Sequence, residues 1–424
     1  MLDTFRNAWR IEDLRKKILF TLLMLLIYRI GSAIAVPGID VAVIADKVQQ
    51  NGILAMLDFI NGGNFSNYSI FAMGIQPYIT SSIVMNLLTV AIPALEKLQK
   101  EGEEGRKKIA QYTRYVTVLL GFIQAVGITI GMGSAALLKN GAPDWFNYMT
   151  IGLSLAAGTA FTMWLGEQIT ENGIGNGISL IIFVGIIAGF AQQIIVGVDS
   201  IVENPSTIWI LPVALVGIIA LIAVIVFVDE GERRIPVQYA KRVVGRKLYG
   251  GQSSHIPLKV NASGVMPLIF AMSILQFPGI ILQFGSLGTS AFGMWWGYWM
   301  SPANWPYMVV FALLIVCFAF FYSTIQFNPI EIAKNLQQNG GFVPGIRPGR
   351  PTSDYLSRTV NRITLAGAVF LAVIATIPSL VMFFARTAAP FTATGILITV
   401  SVALETSKQL EAQMLMRHYK GFMR

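Results

Sequence analysis

The chain has 424 residues, of which 54% are hydrophobic and only 12% charged, where a soluble domain carries about 25% charge. That excludes an ordinary soluble fold and points to a polytopic membrane protein. One cysteine, Cys317, rules out an internal disulfide and a thiolate metal cluster. The two histidines, His255 and His418, both lie in polar segments, which argues against histidine catalysis at membrane depth. No cofactor and no metal is expected.

Runs of about 20 apolar residues can cross a bilayer. Ten are expected, at 18–36, 74–92, 115–138, 150–168, 178–198, 208–228, 263–284, 305–327, 363–385 and 393–411. The first begins near Ile18 with no small-residue cleavage site behind it, so it reads as a retained span rather than a removed signal. Lysine and arginine set the orientation. Of the 31, 27 fall on one side, and the other side holds only Lys47, Lys139 and Arg386. Both termini are therefore expected in the cytoplasm, and the net charge of +9 needs no nucleic acid to explain it. Arg29 lies inside the first span, roughly 10 Å from its outer end at 1.5 Å per residue. It is expected to snorkel or to face the protein interior.

The outer segment 37–73 is longer than a simple connector. It holds Ile53-Leu54-Ala55-Met56-Leu57-Asp58-Phe59-Ile60, an apolar run of helical spacing between the breakers Asn51-Gly52 and Asn61-Gly62-Gly63-Asn64. The run is too short to cross. Pattern alone leaves two readings open, a helix folded back into a cavity and a helix lying on the outer leaflet. The second span then opens at Gly74-Ile75-Gln76-Pro77. Proline is tolerated there because N–H groups of the first turn have no intrahelical partner. Ile75 and Ile79, four apart, share a face. The same opening recurs at Gly264-Val265-Met266-Pro267, at the start of the seventh span. Gly/Pro-interrupted helices at matching places in two halves mark the working site of a membrane transport protein.

Among the cytoplasmic segments, 93–114 is a mixed-charge, solvated run. Gly173-Ile174-Gly175-Asn176-Gly177 has no strand before it and no Lys-Ser/Thr after it, so it reads as a tight turn rather than a phosphate loop. Segment 229–262 interleaves its basic residues with Val, Tyr and Gly, which suits an extended hairpin with Gly250-Gly251 near a bend. Segment 328–362 carries the stiff run Val343-Pro344-Gly345-Ile346-Arg347-Pro348-Gly349-Arg350-Pro351. Long loops with defined turn chemistry carry function, and docking of a large cytoplasmic partner is expected. The outer segment 285–304 is uncharged, and its Phe292, Trp295, Trp296, Tyr298 and Trp299 form an interfacial aromatic anchor.

Several runs together closely resemble the SecY family, the channel subunit of the Sec protein translocase. They are Gln111-Tyr112-Thr113-Arg114-Tyr115, the stretch from Gly166-Glu167-Gln168-Ile169-Thr170-Glu171 through Asn172-Gly173-Ile174-Gly175-Asn176-Gly177-Ile178-Ser179, Arg233-Arg234-Ile235 with Tyr239-Ala240-Lys241-Arg242, Pro257-Leu258-Lys259-Val260-Asn261, and Gly341-Phe342-Val343-Pro344-Gly345-Ile346-Arg347-Pro348-Gly349. They are spread over nearly the whole chain, and the loop lengths resemble bacterial members.

The resemblance implies an all-α membrane protein of ten transmembrane helices. Two pseudo-symmetric five-helix halves, 1–198 and 199–424, form an inverted repeat around a central pore and hinge between the fifth and sixth spans. It assigns the run at 53–65 as a short re-entrant plug helix built on Ile53, Leu54, Met56, Leu57, Phe59 and Ile60. It places an apolar pore ring at Ile75, Ile79, Ile178, Ile182, Ile269 and Ile398. Such a ring offers water no hydrogen-bond partners and so gates by dewetting. The second and seventh spans are implied to form a lateral gate, and the polar residues Asn86, Gln124 and Asn261 are candidates for setting how easily it opens. Arg234, Arg246 and Arg347 match residues that dock the motor ATPase SecA or the ribosome, the latter through rRNA phosphates.

The implied function is a protein-conducting channel, not an enzyme. It would pass unfolded secretory polypeptides across the bacterial plasma membrane and release hydrophobic segments into lipid. Implied partners are SecE and SecG subunits, SecA, the ribosome, substrates with signal sequences, and membrane lipids. A secondary transporter of a small solute also uses internal repeats, but it needs ionisable residues at mid-membrane, and only Arg29 lies well inside a span. An intramembrane protease would need a Ser–His or Asp pair at depth, which is missing.

Overall fold

The computed structural model describes residues 2–50, 58, 61–133, 137, 143–203, 210–239, 242–244, 247–249, 253–261, 263–282, 290–301, 304–385 and 393–421. Within a bilayer a segment has to satisfy its own backbone hydrogen bonds, and helices do so. Each of the ten expected spans falls on a helix. An N-terminal helix, α1 (Leu2–Arg10), leads into α2 (Glu12–Ser32), and α3 (Val41–Gln50) follows in the outer segment. The remaining spans of the first half are α4 (Gln76–Ala91), α6 (Glu103–Met132), α7 (Asp144–Asn172) and α8 (Gly177–Glu203), with α5 (Pro93–Lys100) after α4. Those of the second are α9 (Ile210–Asp229), α10 (Met266–Ile281), α12 (Trp305–Gln326), α14 (Arg350–Ala385) and α15 (Ala393–Gly421). Two shorter helices, α11 (Ala291–Trp299) and α13 (Pro329–Gln338), flank α12.

Among the described residues, four helical stretches are long and apolar enough to cross a membrane unaided, Glu103–Met132, Asp144–Asn172, Trp305–Gln338 and Arg350–Ile377. A fifth arises if α4 and α5, bent by 99° where they meet, count as one. Two helices run well past the expected spans, α6 beginning at Glu103 and α14 at Arg350. Their added turns carry Lys107, Lys108, Arg358 and Arg362. Long charged side chains are good helix formers, so the helices continue beyond the hydrocarbon edge.

Among the described residues, five short strands accompany the helices. In the expected hairpin, β1 (Glu232–Tyr239) pairs antiparallel with β4 (Ser253–Lys259), Arg234 lying opposite Pro257. A smaller pair, β2 (Arg242–Val244) and β3 (Lys247–Tyr249), lies between them in the chain. The second large loop supplies β5 (Gly341–Phe342), which adds to the free edge of β1. Both loops thus join in one sheet, with Ile235, Leu258, Val343 and Leu356 as its apolar core.

The same packing pattern occurs twice. Helix α4 lies on α6, α6 on α7, α7 on α8, and α2 on α8. Likewise α10 lies on α12, α12 on α14, α14 on α15, and α9 on α15. The two sets meet where α4 packs on α10 and α8 on α15. Gly74 and Gly264, just ahead of α4 and α10, both have left-handed backbones, with φ of 53° and 60°, a conformation open to glycine at little cost. The chain can therefore turn sharply into each of these two helices.

Outward faces are leucine-rich, as at Leu19, Leu22, Leu23 and Leu26 of α2. Faces between helices carry small residues, which let backbones approach closely. At Gly158 on α7 an added Cβ would lie 1.9 Å from the Ile70 carbonyl oxygen. Gly158→Ala therefore forces a shift, and such overpacking costs about 1–3 kcal/mol. The expected result is a lower thermal unfolding midpoint in detergent. Gly217→Ala, where an added Cβ meets nothing within 4 Å, should leave the midpoint unchanged.

Candidate functional site

Where the two helix sets meet, apolar side chains from four segments close a neck. Ile75 and Ile79 at the start of α4 face Ile181 and Ile182 of α8, Ile269 and Met272 of α10, and Ile398 of α15. With Tyr28, Asn61, Gln76, Ser273 and Gln276 they line a cavity of about 30 Å³. Five of the six isoleucines expected in a ring line it. The sixth, Ile178, lies one turn from Ile182, half-buried. It sits against α7, close enough that a Cβ on Gly166 would lie 3.1 Å from its Cγ1. Ile181 and Met272 complete the wall, and neither was singled out from sequence. In a helix as uniformly apolar as α8, pore-facing and helix-facing positions carry the same residue types.

A second, wider cavity of about 400 Å³ lies along the same helices. It is lined by Asn176 and Ser179 at the start of α8, by Val265 and Met266 at the start of α10, and by Ser401, Glu405 and Lys408 of α15. On α8 and α10 these residues precede the neck-lining ones, and on α15 they follow them. The two cavities are thus stacked along three shared helices, a polar vestibule narrowing to an apolar neck. Asn261 sits in the vestibule wall, where its Nδ2 donates to Asp229 Oδ1 at 2.7 Å.

No hydrogen bond joins the three polar gate candidates to one another among the described residues. Asn86 is half-buried on α4, and its carbonyl accepts from the Thr89 hydroxyl at 2.7 Å. Gln124, on α6, is buried with both carboxamide atoms unpartnered. The bond that does cross from α4 to α10 belongs to Gln76. Its Nε2 donates to Ser273 Oγ at 3.2 Å and to Gln276 Oε1 at 3.1 Å. The one available signal was a polar residue inside the Gly74–Pro77 opening. Its partners lie about 200 residues away, beyond the reach of local pattern.

The expected plug residues Ile53, Leu54, Met56, Leu57, Phe59 and Ile60 lie outside the described residues. The segment beside them is firmly held. Asp58 accepts from the backbone N–H groups of Phe65 and Ser66, both at 2.8 Å, and from the Ser66 hydroxyl. Asn64 Nδ2 donates to the Tyr28 hydroxyl at 3.1 Å, and Asn61 Nδ2 to the Ala72 carbonyl at 3.2 Å. Asn61 and Tyr28 both line the neck cavity, so this segment forms part of its wall. Arg29 turns its guanidinium inward, with Nη1 buried.

Arg234 is exposed on β1 and pairs with Glu232 at 2.6 Å. Arg347 is exposed in the turn between β5 and α14. Arg246 lies outside the described residues. The β1–β5 pairing holds the loops of Arg234 and Arg347 in one body.

A neck of branched aliphatic side chains has nothing to offer water, and a polar substitution there should wet it. Ile182→Ser is expected to raise ion leak across planar bilayers well above the native level. Ile178→Ser should raise it less. The reverse order would place the constriction one turn nearer the vestibule.

The family model described as SecY matches residues 69–407. A curated relative from Halalkalibacterium halodurans, "Protein translocase subunit SecY", is 46% identical, with 100% of both chains covered. A solved structure described as "The structure of a protein conducting channel" has a TM-score of 0.68 at 22% identity, covering 94% of this chain and 92% of its own. "Sec61 in the Canine ribosome-channel complex from the endoplasmic reticulum" has a TM-score of 0.63 at 20% identity, with 94% and 92% covered.

Proposed function

The chain belongs to the SecY family, and from that premise we infer that it is a membrane-embedded protein-conducting channel through which unfolded polypeptides pass. The observation that carries this reading is the polar vestibule narrowing to a neck lined by α4, α8, α10 and α15. A chain in transit would enter the vestibule extended. The neck side chains would part around it and close behind it, excluding ions by contact rather than by charge. None of this needs a catalytic group.

In this reading Ile75, Ile79, Ile182, Ile269 and Ile398 form the seal with Ile181 and Met272, and Ile178 extends it toward the vestibule. The run at 53–65 is a plug, and the held segment from Asn61 to Gly74 is its base. Residues 1–198 and 199–424 are the two halves, a division supported by the packing pattern that occurs twice. The seam between α4 and α10 is the lateral gate, and Gln76 bridges it to Ser273 and Gln276. Interhelical hydrogen bonds in membranes contribute about 0.6–2 kcal/mol each, little enough for an inserting apolar segment to displace them. Gln124, buried and unpartnered behind α4, is available to bond once the seam opens. Asn261 serves the vestibule rather than the seam.

The sheet that unites Arg234 and Arg347, with Arg246 nearby in sequence, is a docking surface for the ribosome or for SecA. Contacts of Arg and Lys to rRNA phosphates would weaken steeply with salt. SecE and SecG are the expected companion subunits. The 27-to-3 distribution of Lys and Arg supports a plasma-membrane channel with both termini cytoplasmic.

Two measurements test these assignments. With a photo-crosslinkable residue at Ile79 and a secretory substrate stalled midway, a crosslink is expected at Ile79. None is expected at Val373, which faces outward and is 56% exposed. Transport that proceeds normally with no crosslink from Ile79 or Ile182 would remove the neck from the path. For docking, Arg347→Glu is expected to abolish motor-driven transport while the protein stays folded and inserted. Undiminished transport would refute the role of Arg347.

A further inference from the structure

One carboxylate in the vestibule has no part in the passage described above. Asp229 ends α9. Its Oδ1 accepts from Asn261 Nδ2 at 2.7 Å, and its Oδ2 accepts from the Ser401 hydroxyl. The three residues come from separate segments: the end of α9, the turn between β4 and α10, and the first third of α15. Asn261 and Ser401 are both buried. A carboxylate suits this place because two acceptor oxygens can serve two donors from different directions.

The surroundings of this junction are informative on both sides. Toward the docking sheet, β1 begins three residues after Asp229 and β4 ends two residues before Asn261. Glu232 and Lys259, at those strand ends, lie opposite each other, and the Val260 N–H donates to the Gly231 carbonyl at 2.9 Å. The hairpin therefore stands directly on the Asp229–Asn261 bond. Toward the neck, Ser401 lies three residues after Ile398 on the same face of α15. Asn261 lies three residues before Gly264, where the chain turns into α10 and its neck residue Ile269.

Resting on the channel reading above, we propose that Asp229 is a positioning residue that couples docking at the cytoplasmic sheet to the state of the neck. A displacement of the hairpin base moves Asp229. Through Ser401 it moves the turn of α15 that carries Ile398, and through Asn261 it moves the start of α10. The sheet and the neck thus share one junction, and a partner that biases the hairpin biases the seal.

Coupling between two sites is reciprocal, so a change at the neck must alter affinity at the docking sheet. The test measures ribosome Kd on full-length channel complexes in proteoliposomes at one fixed salt concentration. Four chains form a cycle: native, Ile398→Asn, Asp229→Ala, and the double variant. Ile398→Asn is expected to shift Kd by at least about five-fold in the native background, and the shift should vanish in the Asp229→Ala background. Asp229→Asn, which can still accept from Asn261 and donate to Ser401, should keep the shift. Ser401→Ala provides a second route if Asp229→Ala does not fold, and it too should abolish the shift. An equal shift in the native and Asp229→Ala backgrounds, or no shift in the native background, would overturn the coupling. Failure of the native chain to bind ribosomes at all would instead overturn the docking reading, and the coupling with it.

Discussion

Isoleucines from four helices meet at the neck with nothing to offer water, and the rest of the structure depends on that dry contact. A channel wide enough for a polypeptide would leak ions if its lining were polar throughout. Fixed charges would select among ions without stopping them. Branched aliphatic side chains exclude water instead, and they can give way because no bond has to be broken between them. The surrounding architecture serves to bring them together. Gly74 and Gly264 turn the chain sharply into α4 and α10. Small residues let α6, α7 and α8 pack closely behind. The Asn61–Tyr28 wall closes the remaining side.

Around that neck the bonding is uneven. Within each set, helices pack along their length through small residues. Between α4 and α10, the hydrogen bonds are the two that Gln76 makes, among the described residues. At the vestibule end of α10, by contrast, the Asp229 junction ties three segments together. Opening along the α4–α10 seam therefore disturbs little of the packing that maintains each set.

Membrane spans are easy to read because lipid imposes one requirement along about twenty consecutive residues, and composition alone reveals it. The duplicated Gly–Pro opening was equally visible, since only a special backbone demands it. The depth of Ile178 was not. Helical spacing gives a shared face with Ile182, but α8 is apolar on every side, so no polar stripe marks which turn borders the cavity. Ile181 and Met272 escaped notice for the same reason. The Gln76–Ser273–Gln276 bridge and the Asp229 junction join residues far apart in the chain, and no local rule pairs them. The ends of α6 and α14 ran long because charged residues that forbid a bilayer are good helix formers in water.

The neck draws on residues from Tyr28 to Ile398, and Ile398 lies in α15, the last helix among the described residues. During synthesis the first nine spans can be in place while α15 is still being made. Until it arrives, α8 lacks one of its partners and the vestibule lacks one wall. A chain without α15 therefore holds six of the seven apolar side chains that line the neck but lacks the helix that walls both cavities on that side, so the conduit and its barrier are completed together.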